Sequence, residues 1–169
     1  LDLGGGKAEL VLHTKMNTIN HDRIELMLKT TDHVKKHFNG LVIGNDGENF
    51  SAGANLKAIV EAIEKNDLKS VETMVRNFQG ALQLIKFAPF PSISCPHGLT
   101  LGGGCEVALQ TSECMIYNDT FSGLVEIGVG LLPAGGGTKE LALRAYELMS
   151  ITGRGDPMAC LQRTLMLLG

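Results

Sequence analysis

The sequence has no tryptophan, and aromatic residues make up only 5% of its 169 residues. Cysteine is also scarce, with Cys95, Cys105, Cys114 and Cys160 as its four occurrences. These cysteines form neither the close pairs of a zinc site nor the density of a disulfide-stabilised secreted domain. We therefore expect buried free thiols and no metal site.

The sequence also has no large excess of charge of either sign. Its formal net charge is −3, and its basic residues are scattered along the chain. A nucleic-acid partner is disfavoured by this pattern. No apolar run approaches the ~20 residues that span a bilayer, and residues 1–6 lack the basic segment of a leader peptide. We expect a cytoplasmic protein with no membrane partner.

What the sequence does contain is a core-forming share of hydrophobic residues, 44%, in alternating strand and helix patterns. Strands are predicted at 8–13, 40–44, 93–95 and 114–117, and helices are predicted to begin at Asp22, near Ala54, at Val71, at Gly104 and at Thr138. The first helix start is inferred from a capping box that pairs Asp22 with Glu25. This alternation predicts an α/β layer architecture.

The clearest helical pattern has apolar residues on one face, and they are Val71, Met74, Val75, Phe78, Leu82 and Ile85. Their spacing is that of an amphipathic helix. Such a face either fills the core or lines a ligand tunnel, and we expect it to be mainly core.

Two glycine-rich segments are unusual, LTLGGGCEVALQ at 99–110 and LLPAGGGTKE at 131–140. The first does not fit G-x-G-x-x-G, and the second has Thr138 and Lys139 in the wrong order for a P-loop. A remaining interpretation is that freely accessible amides at a helix start stabilise a negatively charged oxygen, as in an oxyanion hole. A third anion site at 135–137 and a simple tight turn explain the second segment equally well.

Two carboxylates accompany these segments. Glu106 lies one turn into the helix after the first glycines, and Glu126 lies in an apolar, glycine-rich stretch where a carboxylate needs a partner or a task. Together they could hold and polarise a water molecule. The alternative is that Glu106 is an acid favoured by a helix N-terminus and Glu126 a surface loop residue.

Two sequence blocks resemble the crotonase, or enoyl-CoA hydratase/isomerase, superfamily: residues 40–59, GLVIGNDGENFSAGANLKAI, and residues 91–144, which contain GGGCE, GLVEIGVG and PAGGGTKE. The likeness extends from Leu10 to Arg144. A more specific resemblance, which includes HTKMN at 13–17, is to the crotonase domain of two-domain 3-hydroxyacyl-CoA dehydrogenases. It implies a spiral of ββα units, and we expect residues 1–169 to form one such domain, as a fragment of a longer chain.

Carried over by position, the resemblance implies an oxyanion hole formed by the amides of Ala54 and Gly103, with Glu106 and Glu126 as the catalytic pair. It also implies substrate-binding positions, namely Lys15, Asn17, Ser51, Ala52, Gly53 and Gly102. No metal or redox cofactor is implied, because a coenzyme A thioester is the substrate.

The sequence departs from the family at three places. Asn55 replaces a frequent aspartate, and Pro96 and His97 replace an apolar pair. A lone histidine between strand and turn is more often structural than a base, so we expect His97 to be structural. After Ala145 the likeness fades, and the family's C-terminal helices are expected to be truncated or missing.

The resemblance implies an enoyl-CoA hydratase of fatty-acid β-oxidation that adds water to trans-2-enoyl-CoA. Alternatives are a Δ3,Δ2-enoyl-CoA isomerase, which needs a single glutamate, and a non-catalytic module that supports a dehydrogenase domain. Implied partners are an acyl-CoA, a homotrimer or hexamer, and an N-terminal dehydrogenase domain.

Overall fold

The computed structural model describes residues 1–153, 156, 158–159 and 162, which form six strands, five α-helices and two 3₁₀ helices. The strands are β1 (Lys7–Val11), β2 (Gly40–Gly44), β3 (Ser92–Ser94), β4 (Leu99–Leu101), β5 (Glu113–Cys114) and β6 (Phe121–Gly123). The helices are α1 (His21–His37), α2 (Leu56–Glu64), α3 (Leu68–Lys86), α4 (Gly103–Leu109) and α5 (Gly137–Thr152), with 3₁₀ helices at Lys15–Asn17 and Glu126–Val129.

All strand pairs in the two sheets are parallel. The larger sheet has the order β1-β2-β3-β5, and β4 pairs with β6 in the smaller one. Isolated bridges join Ser51 to Thr100 and Ile19 to Ala54, in the segments that follow the strands of the large sheet. In each ββα unit the chain therefore runs from the large sheet to the second strand layer and then into a helix. Parallel neighbours require such crossovers. The α/β prediction and the repeating ββα spiral are confirmed.

The core lies between the large sheet and helices α1 and α3. Its least accessible large side chains belong to β2, α1, α3 and the loop after β2, and they include Met27, Val34, Leu41, Ile43, Phe50, Leu82 and Ile85. Burying one such side chain contributes about 1.5–3 kcal/mol. This packing fixes α3 and the ends of β2 and β3, from which the functional loops extend.

Two local predictions were wrong. The cap of helix α1 lies two residues earlier than predicted, because the side chain of Asn20 accepts a hydrogen bond from the Arg23 amide at 3.0 Å. Asp22 is therefore not the cap. The predicted strand at 114–117 is reduced to β5, and Met115, Ile116 and Tyr117 are about two-thirds exposed.

Strands β4 and β6 were not predicted, since three residues are too few to show an alternating pattern. Among the cysteines, Cys105 is buried as expected, whereas Cys95 and Cys114 are only half-buried, and all three are free thiols. Cys160 lies outside the described residues.

The C-terminal prediction is tested only in part. Helix α5 continues past Ala145 to Thr152, and its outer residues Tyr146 and Ile151 are 66% and 84% exposed. The predicted loss of the family's C-terminal helices concerns mostly residues beyond 153, many of which lie outside the described ones. None of the helices in the described part of the chain is long and apolar enough to cross a membrane.

Candidate active site

A cavity of about 130 Å³ is lined by helices α2 and α3 together with the start of α4 and the second 3₁₀ helix. Most of its wall is apolar, and the lining side chains of this kind are Ile19, Ile24, Ile59, Val71, Met74, Val75, Phe78, Leu131 and Leu132. Ala54, Gly103, Glu106 and Glu126 line the same cavity. A wider surface groove of about 730 Å³ lies beside the N-terminal segment and α1, and none of these four residues borders it.

Helix α3 contributes to both the core and the cavity. Phe78, Leu82 and Ile85 are buried, as predicted, while Met74 and Val75 in the preceding turn are only half-buried and line the cavity. The interpretation of this face as mainly core therefore holds for its C-terminal half. Its N-terminal half forms a wall of the candidate site.

The first glycine-containing bend, residues 51–54, lies directly against the second. Gly53 has a φ of +87°, and a Cβ at this position would lie 2.8 Å from the carbonyl oxygen of Leu101 and 3.3 Å from the amide nitrogen of Gly103. Both the positive φ and the close approach require glycine. The two bends that the resemblance assigned to one oxyanion hole are thus in contact.

The orientation of Ala54 follows from its neighbours. The Ile19 amide donates to the Gly53 carbonyl at 2.8 Å, and the Asn55 amide donates to the Ile19 carbonyl at 3.0 Å. In a parallel bridge this pairing turns the intervening Ala54 amide to the other side, toward the cavity. Within the described chain this amide has no hydrogen-bond acceptor.

The second bend, residues 101–104, starts helix α4. Gly102 has a φ of +51°, and its amide donates to the Gly123 carbonyl at 2.8 Å. The amide of Gly103 is the first of the helix and has no intrahelical acceptor. Gly104 packs against the first bend, since a Cβ there would lie 2.7 Å from the Ser51 Cβ. The Ala54 and Gly103 amides therefore border one cavity.

Glu106 is only 2% exposed, and each of its carboxylate oxygens accepts a hydrogen bond from a backbone amide. Oε1 accepts from the Gly137 amide at 2.8 Å, and Oε2 accepts from the Gly135 amide at 2.9 Å. Burial raises the pKa of Glu106, the Gly137 and Gly135 amides oppose that increase, and the nearby charge of Glu126 adds to it. The loop at 135–137 is thus an anion site, and the anion is the protein's own carboxylate.

Glu126 is half-buried at the start of the second 3₁₀ helix. Its Oε2 is shielded from solvent and has no hydrogen-bond partner in the described chain. Its Oε1 lies 3.1 Å from the position a Cβ would take on Gly102. Burial raises the pKa of Glu126. An unpartnered buried carboxylate oxygen beside a cavity is suited to hold a water molecule or a proton in transit.

The predicted substrate-binding residues lie beside the cavity rather than in it. Lys15 is exposed at the start of the first 3₁₀ helix, which is tied to the first bend because the Ala52 amide donates to the Met16 carbonyl at 3.0 Å. The side chain of Asn17 is engaged within the protein, donating to the Asn49 carbonyl at 2.8 Å. Ser51 is fully buried, and its hydroxyl accepts from the Gly53 amide at 3.2 Å.

His97 has the structural role that the sequence suggested. Its Nδ1 lies 3.1 Å from the Cys95 carbonyl oxygen and its Nε2 lies 2.9 Å from the Gly47 carbonyl oxygen. Both ring nitrogens therefore lie against backbone carbonyl oxygens, and His97 does not line the cavity. Asn55 precedes α2 without a side-chain capping hydrogen bond.

Sequence analysis missed the partners of Glu106 and the role of Glu140. The available signal for the first was the PAGGGT segment, whose amides open α5. Glu140 is a 2% exposed acid in the first turn of that helix. Its position among apolar residues was the signal, but nothing in the sequence indicates its partner.

Together, the ββα spiral, the paired bends and the two carboxylates define an α/β protein with a candidate active site at the start of helix α4. The sequence matches the family model described as Enoyl-CoA hydratase/isomerase over residues 6–148. The chain belongs to this family, the crotonase family.

Among similar proteins, a probable 3-hydroxyacyl-CoA dehydrogenase of Bacillus subtilis is 38% identical over 97% of this chain and 20% of its own length. A putative fatty acid oxidation complex trifunctional enzyme of Rickettsia felis is 37% identical over 80% of this chain and 19% of its own. This chain thus spans about a fifth of the length of these relatives. An enoyl-CoA hydratase of Polaromonas has the same fold, with a TM-score of 0.78, 21% identity, and coverage of 82% of this chain and 55% of its own.

Proposed function

We propose that the chain catalyses the reversible syn addition of water to a trans-2-enoyl-CoA, giving a 3-hydroxyacyl-CoA. The observation that supports this most is the convergence of two carboxylates, Glu106 and Glu126, with the amides of Ala54 and Gly103 on one apolar cavity. Family membership makes a thioester the expected substrate.

In the proposed reaction, the thioester oxygen binds to the amides of Ala54 and Gly103. Water addition at the β-carbon places negative charge on that oxygen, so hydrogen bonds from fixed donors strengthen as the transition state forms. Loss of one such donor costs about 3–4 kcal/mol of transition-state stabilisation. The apolar wall excludes bulk water, which strengthens these interactions.

Glu106 and Glu126 act as a pair on the attacking water. One group, as the carboxylate, accepts the proton of the water as its oxygen bonds to the β-carbon, and the other, which starts as the protonated carboxylic acid, gives its proton to the α-carbon; a proton then passes from the first group to the second to restore the pair. Because burial raises the pKa of both groups and the charge of Glu126 raises the pKa of Glu106 further, we treat them as a coupled pair. Each positioned acid or base contributes roughly 10²–10⁴-fold to the rate.

The test is turnover of crotonyl-CoA, followed by loss of the enoyl thioester absorbance. Glu126→Gln is the sharper variant, because the Glu126 Oε2 has no partner in the folded protein, and we expect roughly a 10²–10⁴-fold loss of kcat. Glu113→Gln, an exposed acid on β5, is the matched control and retains the parent rate. Parent-like turnover of Glu126→Gln would refute the proposal.

A Δ3,Δ2-enoyl-CoA isomerase is the second candidate. It is favoured by the asymmetry of the two acids, since Glu106 has both oxygens held by amides whereas Glu126 has a free oxygen. An isomerase moves one proton with one carboxylate. A 3-enoyl-CoA would then gain the conjugated absorbance, while crotonyl-CoA would remain unchanged. Absence of both reactions in a folded protein would indicate a non-catalytic module.

The exposed Lys15 is proposed to meet the phosphates of coenzyme A, next to the bend at Ser51, Ala52 and Gly53. The chemistry moves only protons and water, so it uses no metal or redox cofactor. The names of the relatives suggest that a 3-hydroxyacyl-CoA dehydrogenase, on the same polypeptide or in the same complex, oxidises the product. A cytoplasmic location and a homotrimer or hexamer remain predictions.

A further inference from the structure

The loop that holds Glu106 is itself anchored at both ends. On one side, the Gln79 Nε2 of α3 donates to the Ala134 carbonyl at 2.6 Å. On the other side, the loop enters α5 at Gly137, and the Glu140 amide closes the first turn by donating to the Gly136 carbonyl at 3.0 Å. Displacement of either anchor therefore displaces the Gly135 and Gly137 amides.

The side chain of Glu140 forms the second anchor. It is only 3% exposed, and it forms ion pairs with Lys86 at the end of α3 and with Lys139 at 3.0 Å. Burial by itself raises the pKa of Glu140, but hydrogen bonds from Lys86 and Lys139 outweigh it and hold the pKa below the ordinary value. Glu140 is thus a charged group that fastens α5 to α3 and does not line the cavity.

We propose that Glu140, through Lys86, and Gln79 are positioning residues that hold the loop at 134–137 against the Glu106 carboxylate. Both anchors start on α3, the helix whose other end forms the cavity wall. A single helix therefore fixes the apolar wall and the donors of the acid. This inference extends the proposed function. Its statement about turnover rests on the role that the proposed function gives to Glu106.

The expected effect has a definite sign. The titratable groups that face Glu106 are Glu126 on the second 3₁₀ helix and Cys105 on its own helix, while α3 presents the apolar ring of Phe78. None of these replaces the loop amides as a donor to a carboxylate. Loosening the loop removes hydrogen bonds that oppose the effect of burial, so the pKa of Glu106 rises further.

The direct test is a ¹³C NMR titration of the Glu106 carboxyl in the intact chain, assigned by its absence in Glu106→Gln. All variants carry Glu126→Gln, so that the signal is free of coupling to the second acid. We expect Glu140→Gln and Gln79→Leu each to move the midpoint upward by about one pH unit. Lys86→Arg, which keeps the positive charge, retains the parent midpoint.

The control is Glu72→Gln, which breaks the exposed Glu72–Arg76 pair on the same helix without touching the loop, and it leaves the midpoint unchanged. Gln79 is exposed, so Gln79→Leu tests the proposal even where Glu140→Gln fails to fold. An unchanged midpoint in folded Gln79→Leu overturns the proposal.

A second readout separates this inference from the proposed function. With Glu126 restored, the limb of the turnover pH profile that Glu106 sets moves to higher pH in Gln79→Leu, while the KM for crotonyl-CoA stays within about twofold. If the parent has no turnover, the proposed function fails while the NMR titration still decides the positioning role. If the parent turns over and the midpoint does not move, the positioning role fails alone.

Discussion

Adding one methyl group at Gly135 tests how closely the loop, Glu106 and the cavity wall are packed together. A Cβ at this position would lie 2.5 Å from the Phe78 Cε1 and 2.6 Å from the Glu106 Oε2, where ordinary contacts begin at 3.4 Å. The ring or the loop must therefore move by about 1 Å. Overpacking of this kind costs about 1–3 kcal/mol of folding free energy.

The same displacement moves the Gly135 amide away from Glu106. A misplacement of about 1 Å at a catalytic group can reduce turnover by roughly 10²-fold. We therefore expect Gly135→Ala to lower both the urea midpoint of unfolding and kcat for crotonyl-CoA hydration. The loss of stability does not depend on the proposed reaction, so the two measurements test separate steps of the reasoning.

Gly80→Ala is the matched control, because Gly80 lies inside α3 and a Cβ there meets nothing within 4 Å. The same substitution is expected to stabilise this helix by about 0.5–1 kcal/mol, since alanine loses less backbone entropy than glycine. Equal stability of Gly135→Ala and the parent, with equal turnover, would refute the packing argument.

Three further predictions concern the fold and its charges. Gly53→Ala, at φ +87°, should destabilise the first bend by about 1–3 kcal/mol and lower kcat, as measured by urea unfolding and turnover. Lys86→Met should cost about 1–3 kcal/mol at pH 7, because buried Glu140 loses one charged partner and keeps Lys139. Since the folded pKa of Glu140 is lowered, its stabilising contribution is present above the unfolded pKa of about 4.3 and is lost as the pH falls through the folded pKa, so this difference should narrow in acid. Ile85→Ala should cost about 2–5 kcal/mol, whereas Leu84→Ala, 51% exposed, should cost far less in the same urea titration.

The fold was predictable from sequence where the pattern is long. Helix α3 shows its apolar face over about four turns, and β2 is a continuous apolar run between glycines, so both were located within a few residues. Strands β4 and β6 are three residues each, and their pairing joins Leu99 to Phe121 across the chain. Such a short strand is defined by its partner and not by its own periodicity.

The sequence predicted which bends and which acidic residues form the candidate site, but not the contacts that these residues make. Glycines before a helix indicated accessible amides at its start, which the resemblance assigned to Gly103, and an acid in an apolar stretch indicated Glu126. The donors of Glu106 lie 29 and 31 residues away in sequence, and their direction depends on how α5 docks. No local pattern contains that information, so a third anion site and a simple turn could not be separated.

The hydrogen bonds from the start of α5 to Glu106 also have a consequence for folding order. A nascent chain that has reached only residue 133 contains Glu106 but not the amides that satisfy it, and burying an unpaired carboxylate is costly. We therefore expect the Glu106 side chain to stay hydrated in such a chain until the start of α5 docks against it. On this argument the donors of the acid are put in place only when α5 has been added to the fold.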